Sequence, residues 1–244
     1  HILVYICVQS VYKLNFGGGK MIKNNTKYVS KKSSNNLIDL VYNTLREELI
    51  NNKIKAGDYL SENEIAKQLN ISRTPVREAL RILASQDIVE IRNGLGVQVK
   101  IIPFSDIIDM YEVRKSMEKL AAKTAIRAIT DEEIALLESH IHELAEGEKR
   151  DLKLMFDEFY AIDNRVHGLL IDKCSNSCVK KIMKTIELRV TICQHLSMQT
   201  LDSIKESSIQ HLNILKWIKE KDIINLEKSI DGHIDWSLAN LLKN

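Results

Sequence analysis

The chain has 244 residues, 44% of them hydrophobic and 28% charged, a balance that can fill a core and excludes a chain disordered throughout. Nine Gly and two Pro leave little turn material for an all-β sandwich, and long Leu/Ile/Lys/Glu stretches point to a mainly helical protein. The formal net charge of +2 hides a division: residues 21–102 carry 13 Lys/Arg against 9 Asp/Glu and residues 103–244 carry 20 against 24, so a polyanion partner suits the front half.

The first residues read as a lead-in. Ile2–Val8 is apolar but short, with no basic residue before it, so it is a poor signal peptide. No apolar run approaches the roughly 18–20 residues that span a bilayer. Gly17-Gly18-Gly19-Lys20 directly precedes Met21, as a translated ribosome-binding site would. The expectation is that native translation starts at Met21, that residues 1–20 are leader, and that residues 1–36 form a flexible N-terminus. The four cysteines, Cys7, Cys174, Cys178 and Cys193, form no C-x-x-C pair, and Cys174 and Cys178 are spaced like one helical turn. That usage suits reduced thiols in a cytoplasmic protein, packed as small hydrophobes.

Helical periodicity begins with Leu37, Leu40, Val41, Leu45 and Leu49, predicting a first helix over about 37–51. Ser61 with Glu64 has the spacing of a capping box and starts a second helix, with Ile65, Ala66 and Leu69 on its inner face. After the turn at Asn70-Ile71 a third helix starts at Ser72, with Pro75 tolerated in its first turn. The period then shortens: Ile88–Arg92, the turn Asn93–Gly96 and Val97–Ile101 read as strand, turn, strand. Pro103 ends the hairpin, and Ser105 or Asp106 is placed to cap the next helix. From there the segments 105–128, 131–147, 151–172, 176–198, 202–219 and 222–242 all read as helix. The expected fold is therefore a winged helix–turn–helix over 37–102 and an all-helical bundle over 103–244.

For a winged helix–turn–helix that reads DNA, the first turn of the third helix must offer donors to base edges while its backbone lies near phosphate. Here that turn is Ser72-Arg73-Thr74-Pro75-Val76-Arg77. Arg73 and Arg77 share a helix face, and Arg is shaped to grip guanine O6 and N7 with two hydrogen bonds. Ser72 and Thr74 are suited to phosphate, and the Asn93-Gly94 tip lets backbone approach the sugar–phosphate rail or the minor groove. Taken alone, two surface arginines on a helix would serve the same pattern. Residues 60–99, with Ser61-Glu62, Glu64, Ala66, the run Ser72–Leu80 and the Gly94-x-Gly96 tip followed by Val99, closely resemble the DNA-binding domain of GntR-family transcriptional regulators. That resemblance implies base reading by Arg73 and Arg77, with Ser72, Thr74 and Gly94 placing the protein on DNA. Asn63 stands where many members have an Arg, and Leu95 replaces a frequent Arg of the tip.

In the helical half, Asp163 and His167 lie one turn apart on one face, and His211 and His233 lie on two successive later helices that would face each other as an antiparallel pair. A carboxylate and three imidazoles suit Zn²⁺, Mn²⁺, Fe²⁺ or Ni²⁺, although helix histidines at such spacing also occur as surface or hydrogen-bonded core groups. His1, His140, His142 and His195 have bland readings. The half as a whole resembles the FCD effector domain of the FadR-type branch of the GntR family. Tyr111-Glu112-Val113-Arg114 with Glu118 and Ala121-Ala122, Asp163-x-x-x-His167-x-x-Leu170, Asn176, His211 and His233 all fall on its pattern, with Val166 in place of a usual Phe. The resemblance implies a divalent metal, Zn²⁺ foremost, held by Asp163, His167, His211 and His233. It also implies a small organic acid on that metal, with Arg114 pointing into the pocket. The alternative for Arg114 is a surface salt bridge with Glu118. Arg189 is a further effector candidate placed only by helix phase. The function implied is a homodimeric, cytoplasmic regulator, a repressor by expectation, on a roughly palindromic operator. A metal-free regulator of a bulky acyl effector, a regulator sensing the metal alone, and a metalloenzyme are the rivals.

Overall fold

The computed structural model describes residues 34–92, 96–146, 151–197 and 200–243. The expected leader, Cys7 and the wing-tip residues Asn93 and Gly94 lie outside them.

Two hydrophobic cores organise the chain. The first is built by α1 (Ser34–Ile50), α2 (Glu62–Leu69), α3 (Arg73–Ser85) and a small sheet. Val41, Leu45 and Leu49 of α1 pack with Val76, Ala79, Leu80 and Leu83 of α3, all buried, as the i, i+3, i+4 spacing requires. Ser61 caps α2, accepting the Glu64 N–H at 3.3 Å, and α2 stops at Asn70, whose left-handed backbone (φ 52°) turns the chain toward α3. The sheet has three strands in the order β1-β3-β2, both pairings antiparallel: β1 (Tyr59–Leu60), β2 (Val89–Arg92) and β3 (Gly96–Val99). The two-residue β1 is absent from the sequence-based expectation, because a pair of residues carries no readable alternation. It pairs Tyr59 with Gln98 and Leu60 with Val97, which ties the approach to α2 to the wing. Gly96, with φ 96°, takes a backbone that an L side chain rarely adopts where the chain enters β3.

The second core is all-helical: α4 (Phe104–Ala125), α5 (Asp131–Glu146), α6 (Leu152–Lys173), α7 (Ser177–Ser197), α8 (Leu201–Lys219) and α9 (Ile223–Lys243). Every predicted helix is present, with ends shifted by a few residues. Pro103, and neither Ser105 nor Asp106, occupies the position before α4; Ser105 instead donates to the Asp106 carboxylate. Thr130 and Glu133 form a capping box at α5. Asn176 caps α7, accepting from the N–H groups of Cys178 and Val179. Cys174 and Cys178 therefore straddle the α6–α7 turn and do not share a helical turn; Cys174 and Cys193 are buried, whereas Cys178 is exposed.

Two features position the site. Lys115–Asp235, Lys119–Asp231 and Lys123–Glu227 form a ladder that runs α4 antiparallel to α9 and fixes their register. Helix α7 belongs to both cores: Ile186, Val190 and Cys193 pack into the helical one, and Leu188 and Ile192 into that of the front domain. Among the described residues no helix is long and apolar enough to cross a membrane.

Candidate functional site

The first site is the exposed N-terminal turn of α3. Ser72 precedes the helix with extended backbone, and its hydroxyl makes no cap hydrogen bond. Ser72, Arg73, Thr74 and Arg77 are all exposed, while Pro75 and Val76 between them are buried. The alternation follows from the helix: its inner face anchors in the core, so its outer face presents four donors above a positive helix end. Both arginines are held from α2. Arg77 donates from Nε to Glu62 Oε1 (3.2 Å) and from Nη2 to Glu62 Oε2 (2.9 Å), a two-point grip. Arg73 Nη1 reaches Asn63 Oδ1 at 3.4 Å. The hydrogen bond from Arg77 holds the Glu62 carboxyl below its usual range. Since Glu62 occupies one edge of the guanidinium, the Nη1/Nη2 end stays open to a base.

The second site is buried. The ligating atoms of Asp163, His167, His211 and His233 lie within 4.8 Å of one another, and all four residues are buried. Asp163 Oδ1 stands 3.2 Å from His211 Nε2, 3.9 Å from His167 Nε2 and 4.0 Å from His233 Nε2. None of those three Nε2 atoms makes an aligned hydrogen bond. Three helices supply the four side chains: α6 gives Asp163 and His167 one turn apart, and the α8–α9 pair gives His211 and His233. Three of the four are tied down at their other edges. His167 Nδ1 contacts Glu118 Oε2 at 2.6 Å, His233 Nδ1 contacts Gln210 Oε1 at 2.8 Å, and Gln194 of α7 donates to Asp163 Oδ2 at 2.7 Å. Such outer contacts orient metal-binding imidazoles and carboxylates.

The electrostatics run the same way. Burial alone would raise the Asp163 carboxyl, but His211, His167 and Arg114 outweigh it and hold it well below the usual range. Burial also raises Glu118, and the neighbouring His167 and Arg114 reverse that, bringing it down to about 2. Burial lowers His211, and lowers His233 further with help from its imidazole neighbours, so both are neutral near pH 7. An ionised carboxylate and neutral imidazoles are the states that bind a metal. Unpartnered imidazole nitrogens gathered on one carboxylate, in a buried place, fit a divalent cation.

Arg114 is buried and gives Nε to Glu118 Oε1 at 2.7 Å, while its Nη1 has no partner. The salt bridge with Glu118 exists, but inside the core and not on the surface. Arg189 is placed elsewhere: its Nη1 meets Asp87 Oδ2 at 3.2 Å, at the turn between α3 and β2. Asp87 also pairs with Lys100. Arg189 therefore joins α7 to the front domain and is not brought to Asp163. Gln194 and Gln210 are supporting residues absent from the sequence reading, and Glu118 and Glu62 enter it only as a salt-bridge partner and as motif residues. The i, i+4 relation of Arg114 and Glu118 was one available signal, and nothing in the sequence places Gln194 beside Asp163.

With this geometry in hand, two family models match the chain: the gntR family of bacterial regulatory proteins over residues 37–99, and the FCD domain over residues 109–235. The chain belongs to the GntR family, in its FCD-bearing branch. The HTH-type transcriptional repressor RspR of Escherichia coli is 25% identical over 194 residues, covering 80% of this chain and 84% of that protein. The gluconate operon transcriptional repressor of Bacillus licheniformis is 29% identical over 197 residues, covering 78% and 79%. Among solved structures, E. coli McbR/YncC shares the fold with a TM-score of 0.70 at 20% identity, covering 85% of this chain and 97% of that one. The protein is thus a DNA-binding transcriptional regulator and not an enzyme.

Proposed function

We propose that this regulator is a cytoplasmic homodimer that represses transcription and is released from a roughly palindromic operator by a small carboxylate bound at a divalent metal. The observation that carries the reading is the set of three buried imidazole Nε2 atoms, at 3.2–4.0 Å from the ionised Asp163 and none in an aligned hydrogen bond. Asp163, His167, His211 and His233 would hold the metal, Zn²⁺ foremost and Mn²⁺, Fe²⁺ or Ni²⁺ as alternatives. When bound, the ion supplies positive charge with positions left for an oxygen ligand.

This chain's own residues do the rest. Glu118 fixes the His167 ring and takes Nε of Arg114, which leaves Arg114 Nη1 as a donor for a carboxylate oxygen. A relative 29% identical to this chain is the repressor of a gluconate operon, and gluconate is a carboxylate. Arg73 and Arg77 would read guanines, Ser72 and Thr74 would hold phosphates, and the Asn93-Gly94 tip would lie along the backbone of the DNA. The acid acts only through unequal affinity for the DNA-bound and free conformations.

The test is metal analysis of the purified protein, followed by fluorescence anisotropy on operator DNA with hydroxy, keto and dicarboxylic acids, neutral sugars and acyl-thioesters. Arg114→Ala is expected to keep metal and operator binding and lose release by acids, and Asp163→Ala to weaken metal and acid binding together. A protein that takes up no metal, or an operator released by a neutral sugar or an acyl-thioester and by no acid, defeats the reading.

A further inference from the structure

Among the described residues, α7 alone contributes to both hydrophobic cores. Its sequence explains why. Ile186, Val190 and Cys193 recur at helical spacing on one face and pack into the helical core. Leu188 and Ile192, one turn apart, share another face and pack into the front core. Leu188 is 2% exposed, although it belongs to a helix of the other domain. Arg189, beside it, gives Nη1 to Asp87 Oδ2 at 3.2 Å. Among the described residues this is the only ion pair between the two domains.

This seat lies at the far end of the reading helix. Asp87 follows α3 and, with φ 61°, turns the chain into β2. Gln86, just before it, accepts from the Tyr42 hydroxyl of α1 at 3.0 Å. Lys100, just after β3, also pairs with Asp87. The C-terminal end of α3 is therefore held from α1, from the wing and from α7. The reading turn is at the other end, about 18 Å away by helix rise. The covalent link between the domains is slight by comparison. Lys100 N–H is bonded to the Ile88 carbonyl oxygen at 2.9 Å, so Ile101, Ile102 and Pro103 alone remain between the front domain and α4. Those residues keep soft backbone dihedrals and do not fix an angle by themselves.

A two-fold dimer engages two half-sites at once when its heads stand at the matching distance and angle. Half-sites lie about 34–36 Å apart, one turn of DNA, and an added base pair moves the second one along and around the duplex. A head swinging on Ile101–Pro103 follows that shift, and a seated head does not. We infer that the seat on α7 sets the half-site spacing: Leu188, Arg189 and Ile192 are positioning residues for operator recognition that act without touching DNA. This rests on the proposed homodimer and palindromic operator. A mis-spaced operator leaves one head engaged, and the gain from double engagement, about a hundred-fold or more, is lost.

The experiment is selection of operators from a random duplex pool by the full chain, repeated with variants. The parent is expected to select inverted half-sites at one spacing, and to lose about a hundred-fold in affinity when that spacing changes by one base pair. Leu188→Ala and Arg189→Gln are expected to select the same half-site sequence at several spacings, with the loss on respacing below about ten-fold. Their affinity for the original spacing should fall a few-fold, because the seated orientation is no longer preorganised. Lys100→Gln, which breaks a contact inside the front domain, is expected to keep the parent's single spacing. Circular dichroism checks folding, and if Leu188→Ala does not fold, the partly buried Arg189→Gln decides. If the folded variants keep the single spacing, or the parent itself accepts several, or Lys100→Gln broadens the spacing as much as Arg189→Gln, α7 does not set it and the dimer reading survives. If the parent selects isolated half-sites alone, the dimer reading falls and takes this one with it.

Discussion

The two polar clusters of this molecule are in opposite states. On α3, Arg73 and Arg77 are exposed and each already has an acceptor, Asn63 or Glu62. In the helical core, Asp163, His167, His211, His233 and Arg114 are buried, and several of their atoms have none. An exposed group exchanges one partner for another, or for water, at little cost, so its pairings say little about what it binds. A buried polar atom without a partner costs about 1–3 kcal/mol, so its orphaned state points to a ligand. The difference teaches where each kind of argument works: for the surface site the residue types carry the reading, and for the buried site the missing partners do.

The largest expected effect lies at the surface. Each Arg–guanine pair discriminates by about 1–3 kcal/mol. Arg73→Ala or Arg77→Ala should weaken operator binding by roughly ten- to a hundred-fold and the double variant by more, with circular dichroism unchanged. Full sequence-specific affinity in the double variant would show that α3 is not the reader.

Next comes metal removal. A ligand of the folded state alone adds about 2.7 kcal/mol at a hundred times its Kd. EDTA should lower the melting temperature, and His211→Ala should abolish most of that shift while leaving non-specific DNA binding unchanged. A shift that persists in the variant would separate the stabilising ion from this cluster.

The pH dependence of the metal-free protein sharpens the same contrast. An unfolded histidine titrates near 6.5, whereas burial holds His211 below that value and His233 well below it. As pH falls below about 6.5 the unfolded chain gains protons that the native one refuses. Stability should therefore fall on acidification, by up to about 1.4 kcal/mol per pH unit for each histidine. Urea midpoints at pH 7.5, 6 and 5 read this directly, and a midpoint that rises toward pH 5 would contradict the burial of those rings.

A few-fold effect is expected from Glu62→Gln. It loosens the two-point grip on Arg77, lowering operator affinity, and it removes a negative charge from the proposed DNA face, raising affinity for random sequence. Competition binding with both DNAs checks that the two move in opposite directions. Arg189→Ala should do least: acid affinity within about two-fold of the parent, because its Nη1 is held by Asp87 in the front domain. A large loss of acid binding would return Arg189 to the effector site.

Much of this was legible in the sequence, and the reason is local. Helix periodicity gives all six helices of the back half, and the capping residue Ser61 marks where α2 starts. Asp163 and His167 are legible because a four-residue spacing puts them on one face. What resists reading depends on packing between elements. Gln194 meets Asp163, and Gln210 meets His233, only because of how α6, α7, α8 and α9 rotate against one another. Arg189 shows the hazard of phase alone: its helix does line the site, but its own position turns toward Asp87. Arg114 and Glu118 show the reverse, since a spacing common on helix surfaces is buried here.

Helix α7 leaves one consequence to draw. Its residue Gln194 holds the Asp163 carboxylate, while Leu188 and Ile192, less than two turns away, are part of the core that also anchors α3. A rigid element shared by two cores means that neither can rearrange without cost to the other. Thermodynamic linkage is reciprocal: whatever factor the acid takes from operator affinity, operator must take from acid affinity. On the proposed function, DNA would be an effector of the buried site, and a titration of the acid with and without operator would measure the same free energy from the other end.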